Sequence, residues 1–250
     1  MHRGRIYPNA QGDAVRREVG GWVHGILGWP IYCFWSALLG SAILLCAATG
    51  DPHRRRAIGA LRVLWGRALW ATMPMWRREI GGVENIGPGP YIIVSNHRSV
   101  IDIPALYGLP LPLAVVARSG IFRVPVLGPF VRLSGQIETA RFAGDARAAL
   151  AAGVSVLVFA EGTRSPDAAV HRFHGGAFRL AVETGRPILP VAIDGSQVIL
   201  PKRGYYPTAL TARVRVRVLP PVTAAPGEAP RALCGRVHAL VAGQVAELVA

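Results

Sequence analysis

The chain has 250 residues, enough for one α/β domain with a substantial core and a small appendage. Hydrophobic residues make up 51% of it and charged residues only 17%, with a mean hydropathy of +0.33, which is too apolar for an ordinary soluble domain and points to a membrane surface. The net charge of +14 and the pI near 11.2 come from arginine, Lys202 being the only lysine; such a surface attracts anionic lipid head groups, and without zinc-finger spacing, a stacking platform or a continuous basic helix it argues against nucleic acid.

Residues 1–18 are polar and read as loosely ordered. Residues 19–50 contain no Asp, Glu, Lys or Arg, a run well beyond the roughly 20 residues needed to cross a bilayer. Its length and the lack of a small-residue cleavage site argue against a signal peptide. Gly25, Gly28 and Pro30 predict a short helix, a bend near Trp29-Pro30 and a second helix to about Ala48. Arg16 and Arg17 precede the run and Arg54, Arg55 and Arg56 follow it. Positive charge at both ends sets no orientation for a single crossing, so a hairpin dipping into one leaflet fits as well as a span. Cys33 and Cys46 lie in this run and, with Cys234, have no metal-ligand spacing; they read as small buried hydrophobes in a reducing compartment.

The pattern then continues as an amphipathic helix over residues 57–78, with Leu61, Leu64, Trp65, Leu69, Trp70, Met73 and Trp76 interleaved with Arg62, Arg67, Arg77 and Arg78. Tryptophan beside arginine suits the lipid interface, and the same stripe would also suit a helix packed on the core. Residues 1–80 are therefore expected to form a membrane-associated helical segment and 81–250 an α/β domain.

Beyond Val83, short apolar runs alternate with helical stretches. Strands are predicted at Tyr91 to Val94, Leu113 to Ala117, Gln136 to Glu138, Val154 to Phe159 and Ile188 to Ile193. Helices are predicted after Ser99, around Asp145 to Ala152, and from Ala177 to Thr184, where Gly185-Arg186-Pro187 ends the last of them. This alternation predicts an α/β fold, a mixed central sheet flanked by helices, preceded by an N-terminal apolar helical hairpin for membrane attachment. Arg213, Arg215 and Arg217 alternate with valines, which predicts a half-exposed strand. Residues 230–248 close the chain as a helix with Leu233, Val237, Leu240, Val241 and Leu248 toward the core.

Two strand ends carry the chemistry. The first delivers Asn96-His97-Arg98-Ser99-Val100-Ile101-Asp102. An imidazole with a carboxylate in reach to fix its tautomer is a general base for a hydroxyl, although Ser99 and Asp102 also suit a helix start, with His97 a surface loop residue. The second delivers Glu161-Gly162-Thr163-Arg164-Ser165, a turn able to hold an oxyanion or a phosphate, or simply a polar strand-to-loop turn.

These blocks, with Gly135-Gln136-Ile137-Glu138-Thr139-Ala140-Arg141 and Ile188-Leu189-Pro190-Val191-Ala192-Ile193 in the same order, resemble the glycerolipid acyltransferases typified by bacterial 1-acylglycerol-3-phosphate acyltransferases. The resemblance covers roughly residues 82–222 and departs from the family pattern at Ala140, at Ala160 and after Phe173, where the family often has lysines. It implies catalysis by His97 and Asp102, acceptor binding by Arg141, Glu161, Gly162, Thr163 and Arg164, and oxyanion or supporting contacts from Asn96.

The reaction implied is transfer of a fatty acyl group from acyl-CoA or acyl-ACP to the free hydroxyl of 1-acyl-sn-glycerol-3-phosphate, giving phosphatidic acid, with no metal and no cofactor beyond the thioester co-substrate. The expected partners are the lysophospholipid acceptor, acyl-CoA or acyl carrier protein, and membrane lipid, at the cytoplasmic face of the inner membrane. Other lysolipids such as lyso-ornithine lipid, or a non-catalytic membrane lipid-binding module, are the alternatives. No Gly-x-Ser-x-Gly elbow supplies a protein nucleophile, so transfer would be direct.

Overall fold

The computed structural model describes residues 10–49, 54–73, 75–125, 127–165, 167, 169–202, 209 and 211–249. Its centre is a seven-stranded sheet built from β1 (Trp76–Gly81), β2 (Ile92–Ser95), β3 (Leu113–Ala117), β4 (Ile137–Glu138), β5 (Ser155–Phe159), β6 (Ile188–Asp194) and β7 (Ala212–Val218). The order across the sheet is β1-β7-β6-β2-β5-β3-β4. Strand β2 runs parallel to β5 and β6, and β3 runs parallel to β5 and β4, so the C-terminal ends of these five strands share one edge. Strand β7 returns antiparallel to β6 and pairs in parallel with β1.

The short apolar runs form central strands because both faces of a parallel sheet must be covered. Ile92, Ile93 and Val94 are fully buried. Alternate residues divide between two cores: Ile93, Leu157 and Leu189 face one, while Ile92, Val94, Val156 and Ile188 face the other. The first core is covered by α2 (Arg54–Ala71) and α3 (Asp102–Leu106), and the second by α5 (Phe142–Ala151), α6 (Gly176–Thr184) and α8 (Pro230–Val249). On β7 the predicted alternation is present: Val214, Val216 and Val218 are buried, Arg213 meets Glu79 at 3.2 Å, and Arg215 lies 3.6 Å from Asp194.

The N-terminal region departs from the sequence expectation. Helix α1 (Ala10–Ala48) is continuous through Pro30, with no break at Trp29-Pro30. A single proline removes one N–H, which a long helix can absorb when its other backbone bonds and its packing hold. The hairpin is made instead by α1 and α2, joined by Trp65 Nε1–H donating to Ser36 Oγ at 3.1 Å and by the edge of Tyr32 against Trp65. Helix α2 also stops at Ala71, so Trp76, Arg77 and Arg78 stand on β1, not on a helix running to residue 78. Pro74 follows in the sequence and disfavours helical geometry at Met73.

Two smaller expectations also fail. Leu240 is exposed on α8, whose buried face is Leu233, Val237, Val241, Val245 and Leu248. Cys33 is exposed on α1, not a buried hydrophobe. Both follow from which stripe of each helix meets a neighbour. Phe34, Leu38, Leu45 and, on α2, Leu64 are exposed as well, so the hairpin carries an uncovered apolar surface. The stretch Pro30–Ala48 is long and apolar enough to cross a membrane. Helix α8 also passes on length and composition, but its apolar face is the one buried against the sheet.

Candidate active site

Strand β2 ends at Ser95, and the chain turns at once into His97. The carboxylate of Asp102, at the first residue of α3 and fully buried, reaches back into that turn. Its Oδ2 lies 2.8 Å from His97 Nδ1 and also accepts the backbone N–H groups of Arg98 at 2.7 Å and Ser99 at 2.9 Å. Two fixed backbone donors hold this oxygen, so the imidazole donates Nδ1–H to it and Nε2 remains for proton transfer. The ring of His97 stacks on Phe159 with centroids 3.9 Å apart, which leaves the imidazole only 15% exposed.

Asn96 is buried and turned away from this chemistry. Its Nδ2–H donates to the Ile193 carbonyl and its Oδ1 accepts the Ile193 N–H, both at 2.9 Å, so it ties the end of β2 to β6. Both polar atoms of this expected oxyanion or supporting residue are thus engaged by Ile193. Ser99 Oγ–H donates to the Leu200 carbonyl at 2.7 Å and anchors the other side of the turn.

The second turn is laced onto the first. Glu161, buried at the end of β5, accepts the His97 N–H at Oε1 (3.0 Å), and at Oε2 accepts the Ser165 hydroxyl and the His171 N–H (3.1 Å). The Ser165 N–H donates to the His97 carbonyl at 2.7 Å. Glu161 is an expected acceptor contact; in the structure both of its oxygens accept protein donors, which ties the two turns together. Gly162 adopts φ +67°, and a Cβ there would stand 2.9 Å from the His174 ring, so glycine is required at this bend. Thr163 is exposed and Arg164 half-buried beside it.

The structure adds contacts to which the motifs assign no role. Arg118, one residue past β3, donates from Nη2 to the Gly162 carbonyl at 2.9 Å and so brings a second guanidinium to the Arg164 turn. Arg98 is buried, donates to the Asp167 carbonyl at 2.8 Å and sits 3.5 Å from Asp194 Oδ1, clamping the dyad turn from behind. His171 donates to Asp167 at 2.9 Å, and this bond holds the Asp167 carboxyl below the usual carboxylate range. Only Phe159 carried a hint in sequence, as the last apolar residue before the turn.

Arg141 stands apart. It follows β4, three strand spacings from β2, or about 14 Å at ~4.8 Å per strand. It is 68% exposed and lies 3.6 Å from Asp145 Oδ1. The structure therefore brings His97, Asp102, Glu161 and the Arg164 turn together, and leaves Arg141 on the same edge but farther along. Behind the dyad turn, Val100, Ile101 and Leu200 meet Tyr32, Trp70 and Met73 around an apolar cavity of about 70 Å³. Among the described residues no group of His, Cys, Asp or Glu could hold a metal ion.

A family model described as acyltransferase matches residues 77–194. A 1-acyl-sn-glycerol-3-phosphate acyltransferase of Pseudomonas aeruginosa is 34% identical over 199 residues, 74% of this chain and 76% of that protein. The alpha form from Mus musculus is 32% identical over 78% of this chain and 69% of its own length. The chain spans about half the length of the Brassica napus, Arabidopsis thaliana and Chlamydomonas reinhardtii proteins of that name it matches, 54%, 45% and 48% respectively. The crystal structure of the 1-acyl-sn-glycerophosphate acyltransferase from Thermotoga maritima superposes with a TM-score of 0.78 at 26% identity, covering 94% of this chain and 98% of that one. With the bacterial relative matched over some three quarters of both chains and this fold shared nearly end to end, the chain belongs to the acyltransferase family.

Proposed function

We propose that the protein transfers a fatty acyl group from a thioester to the free hydroxyl of a 1-acyl-sn-glycerol-3-phosphate, forming phosphatidic acid. One observation carries the reading: Nδ1 of His97 is committed to a carboxylate fixed by two backbone donors, beside a turn holding two guanidinium groups. His97 Nε2 takes the acceptor's hydroxyl proton as its oxygen attacks the thioester carbonyl carbon. The tetrahedral intermediate collapses with cleavage of the C–S bond, and the imidazolium returns the proton to the departing thiolate. Asp102 orients the ring and stabilises its positive charge, as the carboxylate does in a hydrolase triad.

Arg164 and Arg118 supply the charge for the acceptor phosphate at the dyad, and Arg141 reaches it only from the outer strand. The apolar cavity behind Val100 and Ile101 lies between the dyad turn and the apolar hairpin, where a few methylenes of an acyl chain meet apolar side chains. That hairpin attaches the enzyme to the cytoplasmic face of the inner membrane, with exposed Phe34, Leu38 and Leu45 in the acyl region. The relatives' names support the acceptor, since each is a 1-acyl-sn-glycerol-3-phosphate acyltransferase. The test is acceptor selection by the purified enzyme in mixed vesicles. Turnover with lysophosphatidic acid and little with lyso-ornithine lipid supports this reading, and the reverse preference removes it.

A further inference from the structure

On the opposite side of the sheet from the α1–α2 hairpin, an open groove of about 940 Å³ runs between the segment after the Arg164 turn and the start of α8. Arg172, Arg179 and Arg231 line it together with His171 and His238; among the described lining residues there is no Asp or Glu, and the Asp167 carboxylate nearby is bonded to the His171 ring. The three arginines are exposed. Two helices begin on its wall, α6 beside Gly175 and α8 at Pro230, and neither has an acidic residue in its first turn. Gly175 gives α6 no side-chain cap, and a Cβ there would meet nothing within 4 Å, so phosphate oxygens can approach the first-turn amides. A concave basic surface of this kind collects phosphate groups.

The groove is tied to the dyad. His171, on its near wall, donates its backbone N–H to the same Glu161 carboxylate that holds the His97 N–H. One wall of the groove is therefore linked through a single carboxylate to the backbone of the residue that carries the imidazole.

We propose that this groove binds the nucleotide end of the acyl donor, the 3′-phosphorylated adenosine diphosphate of a coenzyme A thioester. The inference rests on the acyl-transfer reading above and extends it to the donor. The donor then runs through the enzyme, with its acyl chain toward the apolar cavity under α1 and α2, its thioester at His97 and its phosphates on the water-facing side. An acidic carrier protein fits the shape less well, because the basic groups line a concavity bounded by two helix starts. The acceptor phosphate is accounted for at Arg118 and Arg164.

The experiment measures two things on full-length wild type and on the Arg179→Ala/Arg231→Ala double variant. Calorimetric titration with adenosine 3′,5′-bisphosphate reports the groove without any turnover. Kinetics with acyl-CoA and with the corresponding S-acyl pantetheine, which lacks the nucleotide, report its use. We expect the double variant to bind the bisphosphate about tenfold more weakly or worse, since two charge-assisted contacts are lost at a solvent-exposed site. KM for acyl-CoA should rise by a similar factor with kcat unchanged, and S-acyl pantetheine kinetics should not move. Equal losses with both donors, unchanged kinetics with acyl-CoA, or unchanged bisphosphate binding would each overturn the proposal. If wild type transfers acyl groups from no thioester, the acyl-transfer reading fails, and the titration still decides whether the groove takes a nucleotide phosphate.

Discussion

The carboxylate of Glu161 accepts the backbone N–H of His97 at 3.0 Å, across the boundary between the ends of β5 and β2. The turn that carries His97 and the turn that carries Arg164 are thereby tied together. Glu161→Ala leaves the buried Ser165 hydroxyl, and the His97 and His171 N–H groups, without their acceptor. A cost of about 1–3 kcal/mol is expected for a buried group left unpaired. Glu161→Gln keeps one acceptor oxygen and should lose less. Thermal unfolding in detergent compares the two, and a Glu161→Ala protein as stable as wild type would contradict the positioning role.

The proposed function assigns the acceptor's charge to the guanidinium groups nearest the dyad. Arg164→Ala and Arg118→Ala should each lower kcat/KM for lysophosphatidic acid by about ten- to a hundredfold, the range for a charge-assisted hydrogen bond. Arg141→Ala should cost less than either, because its side chain is 68% exposed beyond the end of the outer strand. Lysine should rescue only in part, lacking the fork. If Arg141→Ala had the largest effect, the acceptor would lie farther along the sheet edge than this geometry implies.

Much of this was legible in the sequence, and the gaps have physical causes. The β-branched runs at Ile92–Ser95, Ser155–Phe159 and Ile188–Asp194 were readable because strands buried on both faces are continuously apolar. The His97–Asp102 pair was readable because its partners lie five residues apart, within one turn and one helix start. Arg118 and Arg98 were not, because their partners, Gly162 and Asp194, are distant in sequence and meet only when the strands align. Asn96 and Glu161 have side chains suited to substrate contact, and only the fold reveals that their polar atoms are engaged by Ile193, His97, Ser165 and His171. No break occurs at Pro30 because one missing N–H is a local loss within a 39-residue helix whose other backbone bonds persist.

Membrane attachment by the apolar hairpin predicts that high-salt washing leaves the full-length protein bound, since burial of Phe34, Leu38 and Leu45 in lipid is not screened by ions. Sedimentation of membranes after washes in salt and in alkaline carbonate checks this. Complete release would reduce the hairpin to a peripheral contact.

The Asp167–His171 bond makes the segment after Arg164 sensitive to acid. Because the Asp167 carboxyl titrates below its ordinary value in the folded protein, its contribution is present above the usual carboxylate range and is lost as pH falls through the lowered value. Amide exchange at Ala169 and His171 should accelerate relative to the β5 core on acidification, after correction for the intrinsic pH dependence of exchange. Asp167→Asn should show that faster exchange already at neutral pH.

The most direct test of the central claim is single-turnover acyl transfer from radiolabelled acyl-CoA to lysophosphatidic acid by wild type, His97→Ala and Asp102→Asn, with phosphatidic acid and released thiol both quantified. The account predicts stoichiometric phosphatidic acid and thiol from wild type. It predicts losses of roughly a hundred- to ten-thousandfold in both variants, the range for general acid–base catalysis, with folding and membrane binding unchanged. A His97→Ala enzyme retaining more than about a tenth of wild-type rate, far outside that range, would contradict general-base catalysis by this residue.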